Sequence, residues 1–301
     1  MTKEHKSKAS QEKNKAALSS VFAAVGLTLM KIIVGVLTGS LGILAEAAHS
    51  GLDLVAALVT FFAVQISGKA PDKQHHFGHG KVENLSALFE TLLLLATSVW
   101  IIYEAIQRLF FKSVEMEISI WAFLVMIVSI VIDATRSSML LKAAKKYKSQ
   151  ALEADALHFS TDIWSSSVVI LGLILVKLSE LFPKLSIMAK ADAVAAMAVA
   201  LIVVYVSVQM GIKTVMGLLD SAPDGIEERI KEIVNAIPDV QNCHAVRVRE
   251  SGPHLFVDIH VELPPRLTIK TADAKTDLIE SKIKEEYPDL DITIHVEPAS
   301  V

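Results

Sequence analysis

Cysteine is nearly absent from this sequence of 301 residues, which contains Cys243 alone. A single thiol excludes an internal disulfide and a cysteine-rich zinc finger, because both need more than one sulfur. Any metal-binding site in this chain must therefore rely on histidine and carboxylate ligands.

A strong charge of one sign is also lacking. The formal net charge is -4 at pH 7, and the basic residues cluster beside apolar stretches rather than along an extended surface. Nucleic-acid binding therefore has no support, since it depends on such a basic surface.

Hydrophobic residues, in contrast, make up 52% of the chain, with a mean hydropathy of +0.47. Stretches of roughly 20 apolar residues, long enough to cross a hydrocarbon core about 30 Å thick as helices, recur before residue 221. We locate six of them, at residues 16–38, 41–66, 84–109, 119–143, 152–177 and 191–216. The chain is therefore predicted to be a multi-pass integral membrane protein whose first domain is an all-α bundle of six transmembrane helices in the lipid bilayer.

The basic residues predict the orientation of these helices. They precede the first apolar stretch and fill the second and fourth connections, whereas the first connection, Thr38 to Ser40, has no charge. Because Lys and Arg favour the cytoplasmic side, both termini are expected in the cytoplasm. The first stretch begins well after Met1 without a small-residue cleavage site, so we expect a retained helix, and this basic amino terminus suits a bacterial inner membrane.

From Ser221 onward the composition becomes charged and mixed. Helical spacing of apolar residues alternates with strand-like spacing, in the order αββαβ. We therefore expect a cytoplasmic α+β domain in which two helices cover one face of a sheet. The predicted boundaries are a cytoplasmic tail at 1–15, the bundle at 16–220 and the cytoplasmic domain at 221–301.

Two of the apolar stretches carry a histidine and an aspartate four residues apart. The second contains His49 and Asp53, and the fifth contains His158 and Asp162. Residues at i and i+4 share one helix face, so each pair can point two ligand atoms at one ion. Two imidazole nitrogens and two carboxylate oxygens suit tetrahedral zinc better than magnesium or calcium, which prefer more oxygen ligands.

The alternative is that each pair is a hydrogen-bonded couple that only stabilises the bundle. An ionisable residue near the bilayer centre costs about 2.5 to 3.5 kcal/mol on insertion scales. Two such pairs without a function would make membrane insertion considerably less favourable, so we favour the metal site.

Histidines also cluster outside the apolar stretches. The second connection contains Asp72, His75, His76 and His79, and clustered histidines favour borderline-soft cations, although a solvated loop that contacts lipid headgroups is the alternative. In the carboxyl-terminal domain, three histidines fall on predicted strands and two carboxylates lie nearby, which permits a metal site there. The alternative is that these are ordinary polar residues of the surface or core, as a lone histidine on a strand usually is. These residues are His244, His260, His295, Asp273 and Glu297.

Further carboxylates lie within the apolar stretches, and four of them have positions that bear on a site. Asp133 precedes Arg136 by three residues, which predicts an ion pair. Glu46 and Asp155 each precede a motif histidine by three residues, and either orient its imidazole or are interfacial charges. Glu90 has no obvious partner in the sequence.

Together these features resemble the cation diffusion facilitator family of zinc-type divalent metal exporters. The most specific elements are Gly42 to Asp53, the segment HHFGHGKVE from His75 to Glu83, and the segment ADALHFSTD from Ala154 to Asp162. The resemblance covers nearly the whole chain. It implies a six-helix exporter with a metallochaperone-like αββαβ domain that forms a homodimer.

The resemblance also implies roles for individual residues. The transport site would consist of His49, Asp53, His158 and Asp162, and a loop site would consist of Asp72, His75 and His79. A regulatory site near the dimer interface would use His244, His260, His295, Glu297 and Asp273, although Asp273 and Glu297 stand where relatives carry histidine and aspartate, so the number of metals there stays open. Lys81 and Asp220 would form a charge pair that holds the protomers together.

Zinc is thus expected as substrate and as regulatory ligand, with cadmium, iron and cobalt as further candidates and no organic cofactor. Ligand histidines must be neutral and ligand carboxylates deprotonated, so metal binding releases protons. This coupling predicts a metal/proton antiporter with alternating access, in which His49 and His158 carry protons, rather than an enzyme.

The alternatives are an intramembrane zinc-dependent enzyme, for which no HExxH helix is present, and a membrane-bound metal sensor.

Overall fold

The computed structural model describes residues 3–110, 120–181 and 191–299. Six long helices lie within these ranges and are followed by a small mixed domain. The helices are α1 (Lys3–Thr38), α2 (Leu41–Ser67), α3 (Lys81–Phe110), α4 (Ile120–Tyr147), α5 (Gln150–Leu181) and α6 (Ala191–Leu218). The mixed domain consists of α7 (Ile226–Asn235), β1 (Asn242–Ser251), β2 (His254–Leu263), α8 (Ile269–Glu286) and β3 (Leu290–Pro298).

The predicted fold class is confirmed, since each predicted apolar stretch falls on one long helix, apart from residue 119, which lies outside the described residues. Of the six long helices, as far as the structure describes them, all but α5 are apolar and long enough to cross a membrane. The first half of α5 carries Glu153, Asp155 and Asp162. Large apolar side chains such as Phe22, Leu37 and Trp100 are exposed on the bundle, as expected where lipid takes the place of water.

The segment expected as a cytoplasmic tail at 1–15 is helical from Lys3, where α1 begins. This segment contains Ala, Lys, Glu and Gln but neither Gly nor Pro, a composition that favours helix without contributing hydropathy. Within the bundle, α1 packs mainly on α2, α3 on α6 and α4 on α5. Further contacts join α2 to α5 and thereby bring the two His–Asp motifs into proximity.

The mixed domain has the predicted αββαβ order. Its sheet has the strand order β1-β2-β3, in which β1 and β2 are antiparallel and β2 and β3 are parallel. Ile230 of α7 and Ile279 of α8 pack against one face of the sheet, where Val257 and Ile259 are buried. Because side chains alternate along a strand, His260 lies on the opposite face, which these helices leave open.

Candidate metal sites

The transport-site residues predicted on α2 and α5 converge within the bundle. His158 Nε2 lies 3.1 Å from Asp53 Oδ1 and 3.6 Å from Asp162 Oδ2. His49 Nε2 lies 3.9 Å from Asp53 Oδ1 and 4.0 Å from Asp162 Oδ1. Distances of this size separate neighbouring donors around a single ion whose ligand bonds are about 2 Å long. One ligand atom each from His49, Asp53 and Asp162 lies within 4.8 Å of the others, and His158 adjoins both aspartates, so the arrangement could hold a metal ion.

A cavity of about 60 Å³ adjoins His49, Asp53 and Asp162. Its lining also includes Glu46 of α2, Arg136 of α4 and Ser166 of α5. The cavity therefore lies inside the bundle, directly beside three of the predicted metal ligands.

The charges around the cavity are paired. Lys31 Nζ donates to Glu46 Oε2 at 3.2 Å and to Ser50 Oγ at 2.8 Å. Arg136 Nη1 donates to Asp133 Oδ1 at 3.1 Å, the ion pair expected from their spacing. Glu46 thus pairs with a lysine of α1 rather than with His49.

The two remaining buried carboxylates have partners on other helices. Asp155 Oδ2 accepts a hydrogen bond from Ser20 Oγ of α1 at 3.4 Å. Glu90, which is fully buried on α3, accepts a hydrogen bond from Thr60 Oγ1 at 3.2 Å and lies 3.7 Å from His158 Nδ1. No local spacing in the sequence indicates this contact, because Glu90 and His158 lie on different helices.

The loop between α2 and α3 brings Asp72, His75 and His79 together, with one ligand atom from each within 4.8 Å of the others. His75 Nδ1 is 3.2 Å from Asp72 Oδ1, and His79 Nε2 is 3.3 Å from Asp72 Oδ2. His76 lies apart from this group, with its Nε2 3.1 Å from the carbonyl oxygen of Lys73. The structure thus places His75 and His79, but not His76, beside Asp72.

Asp72 is held by the backbone of its own turn. The amides of His75 and Gln74 donate to Asp72 Oδ1 at 2.7 and 2.8 Å. These hydrogen bonds stabilise the charged form and lower the pKa of the Asp72 carboxyl to about 2. The loop therefore presents a permanent carboxylate between its two imidazoles at neutral pH.

The same loop packs against the carboxyl-terminal domain. The Phe77 ring contacts Phe256 of β2 edge-on, with 5.3 Å between centroids, and Arg249 Cζ of β1 lies 4.0 Å from the Phe77 centroid. A side chain at Gly80 would place Cβ only 2.1 Å from the carbonyl oxygen of Ser251. Glycine at this position thus allows the loop to touch the β1–β2 turn.

The predicted charge pair forms within a single chain. Lys81 Nζ lies 2.9 Å from Asp220 Oδ1 and donates to the carbonyl oxygen of Leu218 at 3.0 Å. Arg249 Nη1 lies 3.9 Å from Asp220 Oδ2. The pair thus joins the first residue of α3 to the segment that follows α6.

A third cluster lies on the open face of the sheet. His244, His260 and His295 are register partners on the three strands. Glu297 lies among them: its Oε1 is 2.8 Å from His260 Nδ1 and 3.6 Å from His295 Nε2, and its Oε2 is 3.4 Å from His244 Nε2. The hydrogen bond from His260, with further attraction from the other imidazoles, lowers the pKa of Glu297.

Two residues differ from the expectation for this cluster. Asp273 lies on α8, which covers the other face of the sheet, so the structure does not bring it to the histidines of the same chain. Glu262, which was not predicted, lies 3.8 Å from His244 Nδ1. A repeated tetrapeptide, Ile-His-Val-Glu, at 259–262 and 294–297 is the sequence signal that could have indicated Glu262.

Comparison with known proteins identifies the family. Residues 17–219 match the model of the cation efflux transmembrane domain, and residues 222–299 match that of the cytoplasmic domain of cation efflux proteins, ZT_dimer. The cation-efflux pump FieF of Cronobacter sakazakii is 31% identical over 289 residues, which cover 96% of this chain and 93% of that relative. FieF of Salmonella newport is 31% identical over 292 residues, with the same coverage of 96% and 93%.

Solved structures also match part of the chain. A structure of CzrB, described as a candidate zinc transporter, is 26% identical and covers 27% of this chain and 100% of its own, with a TM-score of 0.25. The matches along nearly the whole length are those to cation-efflux proteins, which are transporters. The chain therefore belongs to the cation diffusion facilitator family and is an integral membrane exporter of metal cations rather than an enzyme.

Proposed function

We propose that the chain exports a divalent transition metal from the cytoplasm, with zinc as its principal substrate and cadmium, iron and cobalt as further substrates. The convergence of two histidines and two aspartates from α2 and α5 carries this proposal. Imidazole ligands favour zinc, cobalt and cadmium, whereas manganese prefers carboxylate and water. The ligands are His49, Asp53, His158 and Asp162.

Export is coupled to protons because the empty ligands compete for them. Metal binding from the cytoplasm displaces protons from the imidazoles, and protons from the other side displace the metal. The cavity beside His49 supports this cycle, since it leaves room for an ion or for protons beside the ligands. We expect the site to open to one side of the membrane and then to the other, as in an alternating-access transporter.

The proposal extends to the rest of the molecule. Residues 1–15 and the domain at 221–301 lie in the cytoplasm, and the bundle at 16–220 crosses a bacterial inner membrane. Asp72, His75 and His79 bind metal in the loop, and His244, His260, His295 and Glu297 bind a regulatory zinc ion. The match to the ZT_dimer model supports a homodimer, in which Lys81 and Asp220 lie near the protomer contact.

The decisive experiment measures zinc flux into proteoliposomes under an imposed proton gradient. Asp53→Ala and Asp162→Ala are expected to abolish proton-dependent flux because each removes a ligand of the single site. Asp291→Ala, the same substitution at an exposed position of β3, serves as the control and should transport normally. Helical circular dichroism and gel filtration verify that each variant is folded.

The outcomes separate the parts of the proposal. Unchanged flux in both aspartate variants would place the metal path elsewhere, and zinc flux that ignores the proton gradient would refute antiport. Absence of flux with zinc, cadmium, cobalt and iron in the native chain would refute the proposed substrates.

A further inference from the structure

His158 has two ring nitrogens with different surroundings. Its Nε2 lies toward Asp53 and Asp162, the side on which the ion would bind. Its Nδ1 is buried and makes no hydrogen bond within the described part of the chain. A buried polar atom without a partner costs free energy, so this nitrogen requires an explanation.

Glu90 provides a matching acceptor. Its Oε2 lies 3.7 Å from His158 Nδ1 and is likewise buried without a hydrogen bond in the described residues. Its Oε1 is held by the Thr60 hydroxyl of α2 at 3.2 Å. The carboxylate is therefore anchored at one oxygen while the other faces the imidazole, and a shift of less than 1 Å would bring the pair to hydrogen-bond distance.

Metal binding at Nε2 would explain why Nδ1 needs a hydrogen-bond acceptor. A ligand nitrogen cannot keep its proton, so an imidazole that binds an ion through Nε2 carries its remaining proton on Nδ1. In the structure Nε2 lies 3.1 Å from Asp53 Oδ1, within hydrogen-bond distance. A hydrogen bond to this carboxylate requires a proton on Nε2, because a carboxylate can only accept. The metal-bound tautomer therefore needs an acceptor at Nδ1, and Glu90 lies there.

We propose that Glu90 is a positioning residue of the transport site. Its carboxylate accepts a hydrogen bond from His158 Nδ1 and thereby fixes the tautomer and ring orientation in which Nε2 binds the metal. Carboxylates in this position raise metal affinity by about 10- to 100-fold in other metal sites. This inference rests on the proposed transport site and assigns a role to a residue of α3, outside the two helices that provide the ligands.

The test uses the full-length chain with Co²⁺ alone as the probe, because its visible spectrum reports the coordination geometry. His75→Ala, His79→Ala, His244→Ala and His260→Ala are combined as a background, so that the remaining signal comes from the transport site. Asp162→Ala in this background must abolish the signal. If it does not, the proposed transport site is wrong, whatever the effect of Glu90.

Glu90→Gln keeps the shape of the side chain and removes its charge. We expect it to weaken Co²⁺ affinity about 10- to 100-fold and to change the spectrum. In a His158→Asp background, which keeps a metal ligand but removes the Nδ1 donor, the same substitution should have no further effect, because the two residues act through one contact. Thr91→Val is the matched control: Thr91 is a buried neighbour on α3 whose hydroxyl donates to the Ala87 carbonyl, and its replacement should leave affinity unchanged.

Two results would overturn the inference: unchanged Co²⁺ affinity in Glu90→Gln, or an equal loss of affinity whether or not His158 is present. Should Glu90→Gln fail to fold, Thr60→Val tests the same contact by releasing Glu90 Oε1. A loss of affinity that depends on His158 would then support the role, and no loss would contradict it.

Discussion

The two imidazoles of the proposed transport site occupy different environments. The His49 side chain is 41% exposed and adjoins the cavity, whereas that of His158 is only 4% exposed. A substitution at His49 therefore changes a partly buried side chain, while one at His158 also disturbs close packing. His49 is thus the better position at which to test how the ligand set determines metal preference.

Replacing His49 with aspartate should lower the ratio of zinc flux to manganese flux. The substitution converts the ligand set to one imidazole and three carboxylates, and manganese prefers oxygen ligands. The ratio can be measured in proteoliposomes with each metal in turn. His76→Asp is the control, since His76 lies outside the loop cluster, and an unchanged ratio in His49→Asp would show that this ligand does not determine the preference.

The turn around Asp72 should withstand mild acidification. A lowered carboxyl pKa stabilises the folded turn at every pH above the unfolded value of about 4, and this contribution is lost only as the pH falls through about 2. Hydrogen exchange of the Gln74 and His75 amides, corrected for its intrinsic pH dependence, should therefore show equal protection at pH 5 and pH 7. Asp72→Ala should remove the protection at both, and loss of protection at pH 5 in the native chain would contradict this assignment.

At the scale of helices and loops, a buried polar cluster joins four segments. Lys13 Nζ of α1 donates to Glu83 Oε1 of α3 at 2.5 Å, and the hydroxyl of Ser67 donates to the same oxygen at 2.6 Å. The hydroxyl of Ser149, just before α5, donates to Glu83 Oε2. Glu83 is fully buried and Lys13 is only 5% exposed, so the cluster fixes the positions of these helices relative to one another.

Lys13→Met should destabilise the bundle markedly. It leaves a buried carboxylate without its cation, a change that typically costs about 3 to 5 kcal/mol. Thermal unfolding in detergent measures the effect. Lys146→Met is the control, because the ion pair of Lys146 with Glu12 is exposed and should contribute little; equal effects of the two substitutions would contradict a structural role for the buried pair.

The close contact between the loop and the β1–β2 turn makes a second prediction at this scale. Gly80→Ala should separate them, since Cβ would overlap the carbonyl oxygen of Ser251. Faster hydrogen exchange at Gly252 and His254 would reveal the separation. Gly26→Ala, where a Cβ has no neighbour within 4 Å, should leave exchange unchanged, and unchanged exchange in both variants would mean that the contact does not form in solution.

The elements themselves were predictable from the sequence, because hydropathy and spacing determine which residues form a helix or strand. The polar start of α1 was not, since residues 3–15 form helix without an apolar signal. Contacts such as those of Glu90 with Thr60 and of Glu83 with Lys13 were also missed. They depend on how each helix is rotated about its axis against its neighbours, which the spacing along one helix does not specify.

At the scale of the whole molecule, the carboxyl-terminal domain has a hydrophobic core of its own. Residues of α7, α8 and all three strands contribute to it, including Val234, Val261, Ile283 and Leu290. The candidate metal site on the open face likewise consists of side chains from this domain. Folding and metal binding of the domain should therefore not require the bundle.

A fragment of residues 222–299 should fold cooperatively and gain stability from zinc. With free zinc at 100 times its dissociation constant, the gain is about 2.7 kcal/mol, measurable by chemical denaturation with and without the metal. His260→Ala should abolish the gain because it removes a central ligand. Asp273→Ala should preserve it in a monomeric fragment, and a loss there would place Asp273 among the ligands.

The contact of Phe77 and Gly80 with the β1–β2 hairpin joins the loop to the sheet, and each of the two carries a candidate metal site. Thermodynamic linkage makes any communication across it reciprocal. Whatever factor zinc on the sheet imposes on zinc affinity in the loop, zinc in the loop must impose the same factor on the sheet. If both sites bind zinc and this contact couples them, occupancy of the loop would follow the metal concentration to which the sheet responds.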